Sequence, residues 1–170
     1  MNIVIANRQR ARKINSRLLR EIAGALLADL KIEEAELGIN LVAAREMILV
    51  NETFLRHEGS TDVITFDYSS AECGMRSAEL NLHGELFICV EEAILQAKRF
   101  KTTWQSEIVR YLVHGVLHLL GHDDLKPHLR RKMKREENRL VRKLTKKISL
   151  AQIEPARFPS DEFPNICNRL

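Results

Sequence analysis

The stretch from Trp104 to Leu120 constrains the fold more than any other part of the chain, because it is the most apolar segment and has helical spacing. Its apolar face is formed by Ile108, Leu112, Val116, Leu119 and Leu120. A face this wide is typical of a helix that other elements cover on several sides. Gly121 ends the pattern, since glycine readily adopts the left-handed conformation that follows a helix. The sequence therefore predicts a central helix around which the rest of the chain packs.

Weaker patterns upstream predict the elements that surround this helix. Alternating apolar residues predict four strands, at residues 2–7, 36–43, 61–68 and 84–90, with a loop at 69–81. Helical spacing predicts helices at residues 16–29, 44–54 and 91–100. Ser16 is the candidate N-cap of the first helix, and Met47, Ile48 and Phe54 are expected to face inward in the second. This order indicates an α+β fold, in which helices pack on a small mixed sheet of about four strands.

The chain of 170 residues is long enough for one domain with a buried core, and no repeat or low-complexity linker divides it. We assign residues 1–148 to this domain and expect an irregular tail at residues 149–170, which hold three of the four prolines. No apolar run approaches the ~20 residues that span a bilayer, and residues 1–9 lack a signal-peptide core. Cys73, Cys89 and Cys167 form no CxxC pair, so we expect free thiols and a cytoplasmic protein without membrane contact.

The basic residues are concentrated in one segment. Residues 126–147 carry 11 of the 27 lysines and arginines but only two acids, Glu136 and Glu137. The rest of the chain holds 16 basic and 21 acidic side chains, so this segment alone makes the protein basic. Pro127 permits a helix start, and a narrow apolar stripe follows it: Leu129, Met133, Leu140 and Leu144. Such a helix packs on one side only, and its charged side either binds a polyanion or is simply solvated.

The predicted central helix carries a candidate metal site. His114 and His118 lie four residues apart, which puts both imidazoles on one face of a helix. Two such side chains can share one zinc ion, and a turn at Gly121 can return a third ligand from residues 122–124. Three protein ligands leave the fourth zinc position to water, as in catalytic sites. Gly115 stands where HExxH peptidases have their glutamate base, which argues against that class of hydrolase.

Residues 114–124, HGVLHLLGHDD, resemble the HGxLHLxGYDH signature of the YbeY family, bacterial endoribonucleases of ribosomal RNA maturation. Two further segments are similar to the family: NETFLRHEGSTDVITF at residues 51–66 and GELFI at residues 84–88. The resemblance spans about residues 2–145. It implies an enzyme that cleaves RNA at a phosphodiester bond and uses one zinc ion.

The resemblance also implies the metal ligands, residue by residue. His114 and His118 match the first two histidines of the signature, and Asp124 stands at the place of the third. Aspartate can take the place of a histidine here, because a carboxylate oxygen also binds zinc. His122, where the family usually has tyrosine, is the rival third ligand, and Asp123 is a further alternative.

Other site residues follow from the same comparison. An arginine near the family's site falls on Leu55 here, and the adjacent Arg56 is the candidate catalytic residue in its place. A guanidinium group there could stabilise charge on a phosphate. Basic side chains at the start of the basic segment are expected to bind RNA phosphates: Lys126, Arg130, Arg131 and Lys134.

The resemblance implies a zinc-dependent single-strand endoribonuclease that acts in maturation of the 3′ end of 16S ribosomal RNA and in ribosome quality control. Its expected partners are ribosomal RNA and the small ribosomal subunit or proteins associated with it. Water and the RNA's own 2′-hydroxyl are both candidates for the nucleophile. Two alternatives stay open: a zinc hydrolase of another class, such as a peptidase or amidase, and a non-catalytic ribosome-associated factor.

Overall fold

In the computed structural model, which describes residues 1–68 and 82–155, four strands form one mixed sheet. They are β1 (Asn2–Asn7), β2 (Ala35–Val42), β3 (Val63–Asp67) and β4 (Leu82–Cys89). Their order across the sheet is β1-β2-β4-β3, with β1, β2 and β4 parallel and β3 antiparallel at the edge. The loop predicted at residues 69–81 lies outside the described residues, as do Cys73 and Cys167.

Five α-helices complete the described part of the chain: α1 (Ser16–Asp29), α2 (Ala44–Val50), α3 (Val90–Phe100), α4 (Trp104–Leu119) and α5 (Pro127–Lys147). These elements confirm the predicted α+β class with a four-stranded mixed sheet. The N-cap of α1 is Asn15, not Ser16 as predicted, because the Asn15 side chain accepts a hydrogen bond from the Leu18 N–H at 3.1 Å. Asparagine and serine cap helices about equally well, so the pattern alone did not rank the two neighbours.

The second predicted helix is divided into two pieces. Helix α2 ends at Val50, and Asn51–Leu55 form a wider π-helical turn. Met47 is buried as predicted, but Phe54 is 63% exposed, so the prediction that it faces inward is wrong. The wider turn changes the angular spacing of the residues after Val50, and Phe54 therefore leaves the face that carries Met47.

Helix α4 is central, as predicted, and packs against β3, β4, α3 and α5. The main core lies between the sheet and helices α1, α3, α4 and α5; its fully buried side chains include Leu19, Leu37, Leu86 and Leu112. A second, smaller cluster lies against α2 and consists of Val42, Met47, Ile64 and Cys89. Val63 and Ile64 contact different clusters, because successive strand residues point to opposite faces of a sheet.

A short 3₁₀ turn, Leu150–Ile153, follows α5 and packs on α1 and α4. Ile153 is buried, and its carbonyl accepts a hydrogen bond from the Asn15 N–H at 2.8 Å. The expectation of an irregular segment after Ser149 therefore omitted one ordered turn, while the domain boundary at residue 148 stays a prediction. Among the described residues, no helix combines the length and the apolar character that a bilayer crossing requires.

Candidate metal centre

Three side chains that can bind a metal come together at the C-terminal end of α4. One ligand atom from each of His114, His118 and Asp124 lies within 4.8 Å of the other two. The Nε2 atoms of the two histidines are 3.0 Å apart. Two nitrogens bound to one tetrahedral zinc at 2.0–2.1 Å lie roughly 3.3 Å from each other, so these side chains need only a small adjustment to share an ion.

The turn after α4 brings the third side chain back to the helix. Gly121 has a φ of +82°, and its N–H donates to the His118 carbonyl at 2.8 Å. The N–H of His122 donates to the Leu117 carbonyl at 3.0 Å. These two bonds make a Schellman motif, in which a left-handed glycine lets the chain reverse at the end of a helix. The reversal predicted from Gly121 therefore places residues 122–124 beside His118.

The three residues that follow this glycine have different contacts. The backbone carbonyl of His122 accepts a hydrogen bond from Nδ1 of His118 at 3.0 Å. The Asp123 carboxylate accepts one from the Leu125 N–H at 2.8 Å and so closes a local turn. Among the described side chains, only the Asp124 carboxylate joins the two histidines. The geometry thus favours Asp124 over the two alternatives that the sequence left open.

Both histidines hold one ring nitrogen in a hydrogen bond that leaves the other for a metal. Nδ1 of His114 faces the Glu137 carboxylate at 3.1 Å, and Nδ1 of His118 faces a backbone carbonyl. Neither acceptor has a proton to give, so each neutral imidazole carries its proton on Nδ1 and its lone pair on Nε2. Two lone pairs that face each other at 3.0 Å repel, and a shared cation removes that repulsion. The donor set therefore fits a zinc ion.

The environment of His118 favours the neutral ring that metal binding requires. Burial lowers the pKa of His118, and the neighbouring His114 lowers it further, while the Asp124 carboxylate opposes them. The neutral form is therefore the dominant one for His118 near neutral pH.

Glu137 of α5 is a buried charge next to this cluster, only 2% exposed. Besides facing His114, its carboxylate accepts a hydrogen bond from Nζ of Lys134 at 2.8 Å and forms an ion pair with Arg110. Burial alone would raise the pKa of Glu137, but hydrogen bonds from His114, Lys134 and Arg110 outweigh burial and lower it to about 2. Glu137 is consequently ionised at neutral pH.

Glu137 was not predicted as a site residue; in the sequence it is one of two acids in a basic segment. A signal was present in the spacing. Glu137 lies four residues after Met133 and three before Leu140, inside the apolar stripe of α5. A charged residue in the buried stripe of an amphipathic helix requires a partner.

Two further polar residues of α4, Glu107 and Tyr111, are largely buried. Glu107 is 5% exposed and accepts a hydrogen bond from the Thr102 hydroxyl at 2.5 Å. Tyr111 is 4% exposed, and burial raises its pKa. These two residues belong to the packing around the site, whereas the histidines one turn further on remain accessible.

A cavity of about 430 Å³ lies beside the cluster, and residues of α4, α5 and the turn between them form most of its wall. It is lined by Asp62, Arg110, Tyr111, His114, Asp124, Arg130, Met133, Lys134 and Glu137. Of the four residues predicted to bind RNA, Arg130 and Lys134 lie in this wall, whereas Lys126 and Arg131 are exposed outside it. Arg110 of α4 also lines the cavity and was not predicted from the sequence.

Gly115 explains why no glutamate follows the first histidine. A Cβ atom at this position would lie 2.8 Å from Cδ2 of Leu86 and 3.3 Å from Cγ2 of Val63. A glutamate side chain has no room between α4 and the sheet without a shift of one of them. The chain therefore has no HExxH base at position 115, and a larger side chain there would require Leu86 to move.

The family model described as Endoribonuclease YbeY matches residues 4–145. The chain belongs to the YbeY family. This membership confirms the resemblance found in the sequence and places the chain in a family of endoribonucleases, which are hydrolases that act on RNA.

Individual YbeY relatives show how far the similarity extends. The chain is 31% identical to the endoribonuclease YbeY of Chlorobium luteolum over 144 residues, which cover 85% of this chain and 98% of that protein. It is 38% identical to the YbeY of Chlorobium phaeovibrioides over 98 residues, 58% of this chain and 61% of the relative. For the YbeY of Myxococcus xanthus the identity is 36% over 129 residues, 74% of this chain and 42% of the relative. The match thus spans less than two thirds of the last two proteins.

A solved structure supports the YbeY-like fold. The solution structure of a Thermotoga maritima protein has a TM-score of 0.62 to this chain and 22% sequence identity. The similarity covers 94% of this chain and 99% of the Thermotoga protein. At this identity the comparison shows the fold alone.

The predicted catalytic residue Arg56, next to Leu55 where the YbeY resemblance places an arginine, is not among the residues that line the cavity, and its role stays a prediction. Arg56 ends the π-helical turn with a left-handed φ of +56°. Guanidinium groups reach that wall from Arg110 and Arg130. In this YbeY-family chain, arginines beside the metal cluster come from α4 and α5.

Proposed function

We propose that this YbeY-family chain is a zinc-dependent endoribonuclease that cleaves single-stranded RNA, acting in maturation of the 3′ end of 16S ribosomal RNA and in ribosome quality control. One observation carries the proposal. The Nε2 atoms of His114 and His118 face each other at 3.0 Å beside Asp124. His114 and Asp124 line a cavity whose wall also contains cationic side chains. The relatives named as endoribonucleases supply the reaction class.

His114, His118 and Asp124 would hold one zinc ion. A zinc ion bound there supplies a Lewis acid, which polarises a phosphoryl oxygen or makes a water molecule more acidic. Asp124 contributes a negative charge that a third histidine would not. Arg110 and Arg130 lie in the same wall and offset this charge for an anionic substrate.

The cations of the cavity would bind and orient the RNA backbone. Arg130 is fixed in place because its Nε donates to the Asp124 carbonyl at 2.9 Å. Lys134 is held by its ion pair with Glu137. Lys126 and Arg131 lie on the adjacent exposed surface and extend the contact to neighbouring phosphates. We assign the stabilisation of phosphate charge to Arg110 and Arg130 in preference to Arg56, because those two groups line the cavity.

Phosphate contacts of this kind give affinity with little sequence information. Aromatic residues make up only 5% of the chain, so base stacking offers little additional specificity. We infer that the cleavage site is selected by the small ribosomal subunit or by proteins associated with it, and that the protein acts in the cytoplasm, where this substrate is made.

The direct test is cleavage of a single-stranded RNA by the purified zinc-loaded protein, with and without a chelator, beside peptide and amide substrates. We expect RNA cleavage that the chelator abolishes and that added zinc restores, with no turnover of the other substrates. Cleavage of a peptide or amide but not of RNA would support a hydrolase of another class. Tight RNA binding without cleavage at any zinc concentration would support a non-catalytic ribosome-associated factor.

A further inference from the structure

We propose that Glu137 is the positioning residue of the metal centre: one carboxylate fixes His114 for the metal and, at the same time, fixes Arg110 and Lys134 for the substrate. The part that concerns Arg110 and Lys134 rests on the proposed function. The part that concerns His114 rests on the metal cluster alone and is tested without RNA.

The two oxygens of this carboxylate have separate partners. Oε2 of Glu137 lies 3.1 Å from Nδ1 of His114. Oε1 accepts the hydrogen bond from Nζ of Lys134 at 2.8 Å and pairs with the Arg110 guanidinium, which also donates to Oδ1 of Asn138 at 3.0 Å. One oxygen therefore contacts the metal ligand His114, and the other binds two side chains of the cavity wall.

The position of Glu137 on α5 makes this arrangement rigid. Its neighbours along the buried stripe, Met133, Leu140 and Leu144, are at most 1% exposed. The backbone of α5 is therefore fixed against the core at this point, and the carboxylate has little freedom to turn away. A rigid acceptor holds the His114 proton on Nδ1 and points the Nε2 lone pair at the metal position.

The two histidines differ in how they are held. Nδ1 of His118 donates to the backbone carbonyl of His122, a contact within the helix-ending turn that does not use the His122 side chain. Nδ1 of His114 depends on a side chain from another helix, 23 residues away in the chain. Glu137 therefore controls one ligand of the pair and leaves the other unchanged.

A purely stabilising role does not account for this carboxylate. Buried ion pairs are often no more stable than apolar residues of similar volume, because each charge loses its hydration. An apolar residue at position 137 would continue the stripe of α5. An ionised carboxylate at this position increases the basicity of the metal-binding imidazole, which an apolar residue would not do.

The test compares Glu137→Gln with Glu136→Gln, the adjacent residue, whose carboxylate instead pairs with Arg139 on the outer side of α5 at 2.6 Å. Zinc affinity is measured by competition with a coloured chelator, without RNA. We expect Glu137→Gln to weaken zinc binding by about 10- to 100-fold, and Glu136→Gln to leave it within about twofold. Equal affinities for both variants, with thermal unfolding that shows Glu137→Gln to be folded, would overturn the proposal.

A second measurement needs no substitution and so does not depend on the folding of a variant. Nitrogen-15 NMR of the zinc-free wild-type protein reports which ring nitrogen of His114 carries the proton. We expect the proton on Nδ1. A His114 resonance with the proton on Nε2 would contradict the role of Glu137. Absence of RNA cleavage by the zinc-loaded wild-type protein would count against the proposed function and not against the role of Glu137 in fixing His114.

Discussion

Both faces of α5 carry basic residues but use them differently. The inner face, which we define as Arg130, Met133, Lys134, Glu137 and Leu140, packs on the core and lines the cavity, and its charges have fixed partners. The outer face, which we define as Arg135, Arg139, Arg142 and Lys146, is exposed to solvent. A basic residue on the inner face has a defined direction. On the outer face Arg139 is paired with Glu136, and the other basic residues contribute mainly to the electric field of the surface.

The largest expected difference between the two faces concerns stability. Leu140 is fully buried, so Leu140→Ala removes apolar contacts and leaves a cavity, which costs about 2–5 kcal/mol of unfolding free energy. Arg142→Ala on the outer face should change it by no more than about 0.5 kcal/mol. Denaturant unfolding of the zinc-free proteins measures both values. Similar values for the two variants would mean that α5 is not anchored by its inner face.

The next effect concerns RNA. Arg130→Ala and Lys134→Ala each remove a charged partner of the phosphate, and each should lower kcat/KM for single-stranded RNA by about 10- to 100-fold. Arg135→Ala and Arg142→Ala are the matched pair on the outer face. We expect these substitutions to raise KM and leave kcat nearly unchanged, and we expect the rise in KM to be smaller at higher salt. Steady-state kinetics at two salt concentrations separates the two classes. Equal losses in kcat for both pairs would erase the distinction between the faces.

The smallest effect concerns the C-terminal end of α5, where two lysines do have a fixed partner. Nζ of Lys143 and of Lys147 lie 2.8 and 2.9 Å from Oδ1 of Asp29 in α1, and their hydrogen bonds lower the pKa of Asp29 below its usual 3.8. A lowered pKa means that the carboxylate adds stability above pH 3.8 and loses this contribution as the pH falls below that value.

Asp29→Asn should therefore destabilise the protein at pH 7 by less than about 1 kcal/mol, because the lysines are partly solvated. The difference from wild type should shrink as the pH falls below 3.8. Lys146→Met, at a residue without a carboxylate partner in the described parts of the chain, is the control. Thermal unfolding over a pH series measures the stability of both variants relative to wild type. A destabilisation by Asp29→Asn that grows towards low pH would contradict the assigned ion pairs.

The features that could be predicted from the sequence are those fixed by local patterns. The apolar spacing of α4, the four-residue interval between His114 and His118, and the glycine that ends the helix are each visible within about one or two turns of helix. The Schellman turn at Gly121 follows from such a pattern, and the position of Asp124 follows from the turn.

The features that could not be predicted depend on contacts between distant segments. Glu137 contacts His114 at a separation of 23 residues in the chain, and Arg110 contacts Glu137 at a separation of 27. Neither contact can be predicted from a local spacing. Phe54 was misplaced for another reason: a single π-helical turn alters the helical angle, and periodicity assumes that the angle is constant. The sequence also could not identify the third metal ligand among residues 122–124, because all three side chains can bind a metal. Backbone geometry was needed to distinguish them.

The metal site at the end of α4 is tested by the zinc content of the wild-type protein beside three variants: His118→Ala, Asp124→Ala and His122→Ala. We expect one zinc per wild-type chain, loss of zinc in His118→Ala and Asp124→Ala, and retention in His122→Ala, since the backbone carbonyl of His122 is the group that contacts His118. Undiminished zinc in His118→Ala and Asp124→Ala, or loss of zinc only in His122→Ala, would contradict this metal site.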